Sequence, residues 1–296
     1  MTLPQRIRVL HEASGFVVKD FRCACGAGHP SPEEASSTTD FAFVRRGYFR
    51  RVTEGQARWM DPNRVLFSNT GEVSRIIHPV DGGDDCTIFQ VPEGMLREVV
   101  ARHRPGDAER PYRVLGAPDV PASARTYLLH RLLLADLEAG NVEPLRLQTR
   151  VLDLLDAALT TAHGRPERRA PVGAAARRHR ELAAGAAEIL ARNLADPPDL
   201  AGLSLALDSS PFHLHRVFRA AAGLPLHRYL MGLRLRAALE RLSDHAEDLT
   251  AVALDLGFSD HSHFTNAFRR EFGLSPSVAR RASSRKILQA RSSAGV

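Results

Sequence analysis

Two segments of this chain, fifty positions apart, carry the same short pattern. The first reads Ser209-Ser210-Pro211-Phe212-His213-Leu214-His215-Arg216-Val217-Phe218-Arg219, then Gly223-Leu224; the second reads Ser259-Asp260-His261-Ser262-His263-Phe264-Thr265-Asn266-Ala267-Phe268-Arg269, then Gly273-Leu274. A polar start, apolar residues three and four apart and a glycine stop describe a short amphipathic helix with a C-terminal cap. Such a pattern, used twice, restricts residues 179–282 to a helical fold built around two equivalent helices.

Each copy follows another short helical pattern and a tight turn. Asp199 can cap a helix through Leu200, Leu203 and Leu207, with Asp208-Ser209-Ser210 as the turn after it. Leu249 to Leu256 is the matching helix of the second copy, and Gly257 stops it. Between the copies, Leu226 to Leu242 reads as one long helix that holds them apart. Helix, turn and second helix form the helix-turn-helix layout.

The run Asp255-Leu256-Gly257-Phe258-Ser259-Asp260-His261-Ser262-His263-Phe264, with Phe268-Arg269-Arg270 and Gly273-Leu274-Ser275-Pro276, resembles the signature of AraC/XylS-type transcription regulators. The resemblance covers about residues 180–281, a third of the chain. It implies a sequence-specific regulator of double-stranded DNA whose two recognition helices enter successive major grooves, about 34 Å apart. By position in the motif, the base-facing candidates are Phe212, His215 and Arg216 in the first helix and His261, Ser262 and Asn266 in the second. Arg216 can pair with guanine and Asn266 with adenine, and Phe212 can touch thymine methyl groups. Arg219, Arg269 and Arg270 are expected on phosphates. Members usually place Gly near Asp208; Asp tolerates the left-handed turn at some cost. The resemblance also implies a cupin-like, effector-binding barrel ahead of this domain and a homodimer.

Charge follows the same division. Residues 1–164 hold 20 Lys and Arg against 21 Asp and Glu, and residues 165–296 hold 20 against 13, which together make the chain's net +6. A near-neutral front and a basic back fit a sensing domain joined to a polyanion binder. No apolar run is long enough for a membrane span and no leader opens the chain, so a cytoplasmic protein without membrane contact is expected.

The front domain is expected over residues 1–162. Segments 16–22, 40–46, 48–52, 64–67, 73–77 and 86–91 alternate as strands; those flanking Gly47 suggest a hairpin. Ala122–Ala139 and Glu143–Thr161 read as a helical hairpin that packs on the barrel or meets a partner chain. The fold expected is therefore α+β: an antiparallel, cupin-like barrel with two helices, a linker over 163–178, the all-α domain over 179–282 and a polar tail over 283–296. The barrel lacks the His-x-His signature of metal-dependent cupin enzymes, and no catalytic triad or phosphate loop stands out, so no enzymatic activity is expected.

All three cysteines lie in this front domain. Cys23 and Cys25 share one face of a strand, Cys86 opens another, and His29 and His78 lie nearby in sequence. Three thiolates and an imidazole are acceptable ligands for Zn²⁺, and thiolates alone suit Cu(I). A redox or electrophile switch would use the same thiols. Packing as small, buried, reduced side chains is the plainer reading.

Overall fold

The computed structural model describes residues 5–28, 30–110, 113–140, 142–163, 173–242 and 247–282. Its N-terminal lobe is built on two antiparallel sheets. The strands are β1 (Gln5–Ala13), β2 (Phe16–Cys23), β3 (Glu34–Ala35), β4 (Asp40–Gly47), β5 (Phe49–Thr53), β6 (Gln56–Met60), β7 (Arg64–Ser68), β8 (Val73–Ile77), β9 (Asp84–Gln90) and β10 (Asp119–Pro121). One sheet has the order β1-β2-β9-β4-β7-β10 and the other β3-β8-β5-β6.

Alternation along the strands decides what each face buries. Phe16 and Val18 of β2, Phe41 and Phe43 of β4 and Phe89 of β9 form the core beneath the lobe's helices. The opposite face, with Val44 and Cys86, meets Phe49 and Met60 of the second sheet. Arg51, on the same face of β5 as Phe49, crosses between the sheets: its Nη1 donates to the Phe67 carbonyl at 2.7 Å.

The hairpin expected at Gly47 does not form. β4 pairs with β7 and β9, whereas β5 pairs with β6 and β8. Gly47 has φ +94°, and a Cβ there would overlap the Gly83 carbonyl oxygen. The glycine therefore marks the corner where the chain leaves one sheet for the other, and the true hairpin is β5–β6, turning at Glu54-Gly55.

The helices of the lobe are α1 (Glu93–His103), α2 (Pro105–Ala108), α3 (Ala124–Glu138) and α4 (Pro144–His163). α1 is not among the expected elements; it starts after Pro92 and buries Leu96, Val99 and Val100. The apolar stripe of α4, through Leu147, Val151, Leu154, Leu155 and Ala158, is buried within the chain, so that stripe is not free for a partner. The C-terminal domain holds α5 (Ala174–Arg192), α6 (Leu200–Ala206), α7 (Pro211–Ala222), α8 (Leu226–Arg241), α9 (Leu249–Asp255) and α10 (His261–Phe272). The linker expected over 163–178 is narrower than that, because α5 is already helical at Ala174; residues 164–172, and the tail at 283–296, lie outside the described residues. None of the described helices is long and apolar enough to cross a membrane.

Sheet and helices share their cores. Leu235, Ala238 and Leu239 of α8 and Phe264 and Phe268 of α10 belong to the cluster that contains Phe41 and Phe89. Tyr48, between β4 and β5, and Trp59 of β6 belong instead to the cluster of α5, α7 and α8. Polar groups reinforce the seam: the Tyr48 hydroxyl donates to the Ala184 carbonyl at 2.9 Å, and Arg236 Nη2 donates to the Ala122 carbonyl at 2.6 Å.

Candidate nucleic-acid interface

Each half of the C-terminal domain is shaped by its capping residues. Asp199 Oδ1 accepts from Gly202 N at 2.7 Å and opens α6; Asp248 Oδ2 accepts from Ala251 N at 3.2 Å and opens α9. Ser210 Oγ accepts from His213 N at 3.3 Å to open α7, and Asp260 Oδ1 accepts from His263 N at 2.7 Å to open α10. Those bonds to the exposed Asp260 hold its carboxyl below the usual carboxylate range, the His263 amide contributing most. Gly223 (φ +77°) and Gly273 (φ +76°) end the two helices in the left-handed conformation.

The turns are related but unequal. In both, a backbone bond reaches back five residues, Ser209 N to Ser204 O and Phe258 N to Ala253 O, each 3.0 Å. The second turn carries one more residue before its cap. At the left-handed position stand Asp208 (φ +46°) and Gly257 (φ +77°). A Cβ on Gly257 would overlap the Ala195 carbonyl and the Arg234 guanidinium, whereas the first turn accommodates a side chain.

Arg234, from the middle of α8, braces the whole unit. Its Nε donates to Leu194 O at 2.7 Å, its Nη2 to Ala195 O at 3.2 Å, and its guanidinium lies 5.9 Å from the Phe258 ring centre. Burial lowers its pKa from the ordinary arginine value. One side chain thus ties the end of α5 to the turn of the second motif. In sequence, Arg234 resembles any solvated helix arginine; the buried Leu233 and Leu235 on either side are the one local signal of its role.

Within this frame Phe212, Arg216 and Arg219 are exposed on α7, with Phe212 79% accessible, and His215 is half-buried. On α10, His261, Ser262, Asn266, Arg269 and Arg270 are all exposed. The apolar sides of both helices, Leu214, Val217 and Phe218 in one and Phe264, Ala267 and Phe268 in the other, are buried. His213 and His263 serve their own helix surfaces: His213 Nδ1 lies 3.4 Å from Arg216 Nη2, and His263 Nδ1 lies 3.2 Å from Ser259 Oγ. Arg216 also lines a cavity of about 440 Å³ with Arg58, Trp59 and Arg64 of the N-terminal lobe and His179 and Arg180 of α5.

The cysteines are brought together only in part. Cys23 and Cys25 are buried and joined by a disulfide, and His78 is buried beside them. Cys86 does not join the expected ligand set. The β2–β9 register puts Asp84 opposite Cys23 and Cys86 opposite Phe21, one pleat farther on. The Cys86 thiol donates to Asp84 Oδ2 at 3.1 Å, and burial, reinforced by the Asp84 charge, pushes its pKa well above the ordinary thiol value. His29 lies outside the described residues.

Comparison with known proteins bears on the helical half. Residues 203–282 match the family described as a helix-turn-helix domain. The HTH-type transcriptional activator RhaS of Escherichia fergusonii is 44% identical over 63 residues, which are 21% of this chain and 23% of that protein; RhaS of Escherichia coli K12 matches to the same extent. The likeness thus spans less than a quarter of the length of these relatives. Among solved structures, a transcriptional regulator with an AraC-type DNA-binding domain from Chromobacterium violaceum is 23% identical, covering 35% of this chain and 93% of that one, with a TM-score of 0.34. ToxT from Vibrio cholerae is 8% identical over 92% of this chain and 99% of its own, also with a TM-score of 0.34.

Proposed function

We propose that this chain is a transcription regulator of the AraC/XylS type, which reads a promoter site with α7 and α10 while its N-terminal lobe senses a small molecule; the match of residues 203–282 to a helix-turn-helix family supports the first part of that reading. The observation that carries the first part is the pair of capped helices, each with a buried apolar side and an exposed polar and basic face, both packed on α8. Arg216 and Asn266 are the base readers, with Phe212, His215, His261 and Ser262 beside them; Arg219, Arg269 and Arg270 hold the backbone. Two helices fixed on one frame address successive major grooves on one side of the duplex.

The cavity shared by Trp59, Arg58, Arg64, His179, Arg180 and Arg216 is the effector site this reading favours. An occupant there touches the lobe and the first recognition helix at once, so its binding energy bears on both. The protein acts as a homodimer, each chain supplying one pair of helices.

The test uses full-length protein and a site selected from random DNA. Arg216→Ala and Asn266→Ala should each weaken binding to the selected site about 10- to 100-fold, in line with roughly 1–3 kcal/mol per bidentate base contact, and leave binding to unrelated DNA nearly unchanged. Equal losses on both DNAs would move these residues to the phosphate contacts. Light scattering reads the assembly, with a mass near 32.5 kDa refuting the dimer.

A further inference from the structure

The exposed helices leave unexplained a buried cluster in the N-terminal lobe. Cys23 ends β2, Cys25 follows it, and His78 follows β8; one ligand atom from each lies within 4.8 Å of the others. They are 2%, 3% and 5% accessible. Two thiolates on a tetrahedral zinc stand about 3.8 Å apart, a spacing this cluster can meet with small side-chain rotations.

The surroundings are built for the cluster. Gly28 N donates to the His78 carbonyl at 2.9 Å and Ala27 N to Asp81 Oδ1 at 2.7 Å, which laces the loop after Cys25 to the loop after His78. Gly83, at φ +62°, lies so close to Cys23 that a Cβ would overlap its carbonyl oxygen. Asp84 Oδ1 stands 2.7 Å from His78 Nε2. A carboxylate there keeps the proton on Nε2 and leaves Nδ1 with the lone pair a cation takes, the carboxylate–histidine arrangement that orients metal ligands. The Cys86 thiol, bonded to the other oxygen of Asp84, completes the support without joining the ligands.

We propose that Cys23, Cys25 and His78 form a redox-gated Zn²⁺ site, closed to metal while the disulfide is intact and opened by reduction. A dithiol reductant attacks one sulfur, the Cys23–Cys25 bond breaks, two electrons pass to the pair, and the reductant leaves as its own cyclic disulfide. Zn²⁺ then takes both sulfurs as thiolates and the His78 imidazole, and the two thiol protons go to water. Charge favours the divalent ion: Zn²⁺ neutralises the two thiolates and leaves only the Asp84 carboxylate on His78, whereas Cu(I) would leave a second net negative charge in a buried place. A peroxide reverses the step. It takes two electrons from the two thiolates, its O–O bond breaks, its two oxygens leave as two molecules of water (water and an alcohol for an alkyl peroxide) with two protons drawn from solvent, and the S–S bond forms as Zn²⁺ departs.

The site also has a path to the DNA-binding half. Arg192, at the end of α5, donates to the carbonyl of Pro79, the neighbour of His78, and pairs with Glu188 at 3.1 Å. Glu188 in turn binds Arg50 of β5 at 3.1 Å. An effect on DNA rests on the function proposed above; metal binding does not, and the two can fail separately.

The experiment measures zinc per chain in full-length protein, with the disulfide intact and after reduction and removal of the reductant. The reduced protein should bind one Zn²⁺ and the oxidised protein none. Co²⁺ in its place should give a thiolate-to-cobalt charge-transfer band, which identifies the ligands in the unmutated protein. Cys23→Ser, Cys25→Ser and His78→Ala should abolish tight binding, Cys86→Ala should retain it, and Asp84→Asn should weaken it roughly 10- to 100-fold. Reduced protein that takes no zinc, that prefers Cu(I) alone, or that binds Co²⁺ without the band overturns the proposal. So does zinc that survives Cys23→Ser combined with Cys25→Ser. If zinc binds but DNA affinity is the same with and without it, the site stands and its regulatory link falls.

Discussion

The indole Nε1 of Trp59 donates to the hydroxyl of Tyr229 at 2.7 Å, and that hydroxyl donates in turn to the buried carboxylate of Asp61. Trp59 and Asp61 belong to the N-terminal lobe and Tyr229 to α8, so this chain of bonds fastens the linking helix of the DNA-binding half to the sheets. Asn63 Nδ2 adds a bond to the Tyr229 carbonyl at 3.1 Å. Burial raises the pKa of Asp61, opposed first by the Tyr229 hydroxyl.

Tyr229→Phe removes the middle member and leaves two buried polar groups without it. The loss should be about 1–3 kcal/mol of stability, read as a lower denaturant midpoint with an unchanged slope. Trp59→Phe, which removes one donor and leaves the Tyr229–Asp61 bond, should cost less. A larger loss for Trp59→Phe would assign the stability of this seam to packing.

The phosphate contacts should separate from base reading by their response to salt. Arg219→Ala, Arg269→Ala and Arg270→Ala should each lower affinity for all sequences alike and reduce the slope of log K against log salt by about 0.9. Fluorescence titration at four or more salt concentrations reads the slope. An unchanged slope would place that arginine off the backbone.

Asp40 provides a pH prediction. Burial pushes its carboxyl up to about 6, against hydrogen bonds from Thr38 and Ser68 and the charges of Arg51 and Lys19. Thr38 Oγ1 lies 3.1 Å from Asp40 Oδ2. A carboxyl raised above its unfolded value binds its proton better in the fold. Its contribution is therefore complete below pH 4 and is lost as pH rises through 6. Asp40→Asn should be more stable than the parent by about 1–2 kcal/mol at pH 7, allowing for partial solvent screening, and equal to it near pH 4. Thermal melts of both proteins across that range check the convergence.

The two turns of the helix-turn-helix pair should answer oppositely to substitution. Gly257→Ala places a methyl group against the Ala195 carbonyl and Arg234 at a positive φ, and should cost several kcal/mol or prevent folding. Asp208→Gly relieves a left-handed, non-glycine residue and should be neutral or stabilising by up to about 1 kcal/mol. Chemical denaturation compares them, and similar effects at both turns would contradict the asymmetry.

The helical half was legible because its signals are local. The spacing of Leu214, Val217 and Phe218, the caps at Ser210 and Asp260 and the glycines at 223 and 273 each act within a turn or two of chain. The N-terminal lobe was legible as strands, but pairing is a long-range property. Gly47 signals a reversal equally well for a hairpin and for a corner, and only contact with Gly83 decides. The cysteine cluster was half legible for the same reason: Cys23 and Cys25 lie two residues apart at the end of β2, while the placement of Cys86 depended on the register of β9. Trp59, Asp61, Tyr229 and Arg236 form no local pattern at all. Their roles arise where one half of the chain meets the other.

That shared seam has a consequence for the order of synthesis. Tyr48 and Trp59 leave the ribosome long before Ala184 and Tyr229, the residues that receive their hydroxyl and indole groups. The nascent N-terminal lobe therefore lacks the partners of these two aromatic side chains, and Asp61 has the Asn63 amide but not the Tyr229 hydroxyl, until α5 and then α8 emerge. For that interval two of the lobe's aromatic groups wait for cover, and the helical half that follows supplies it.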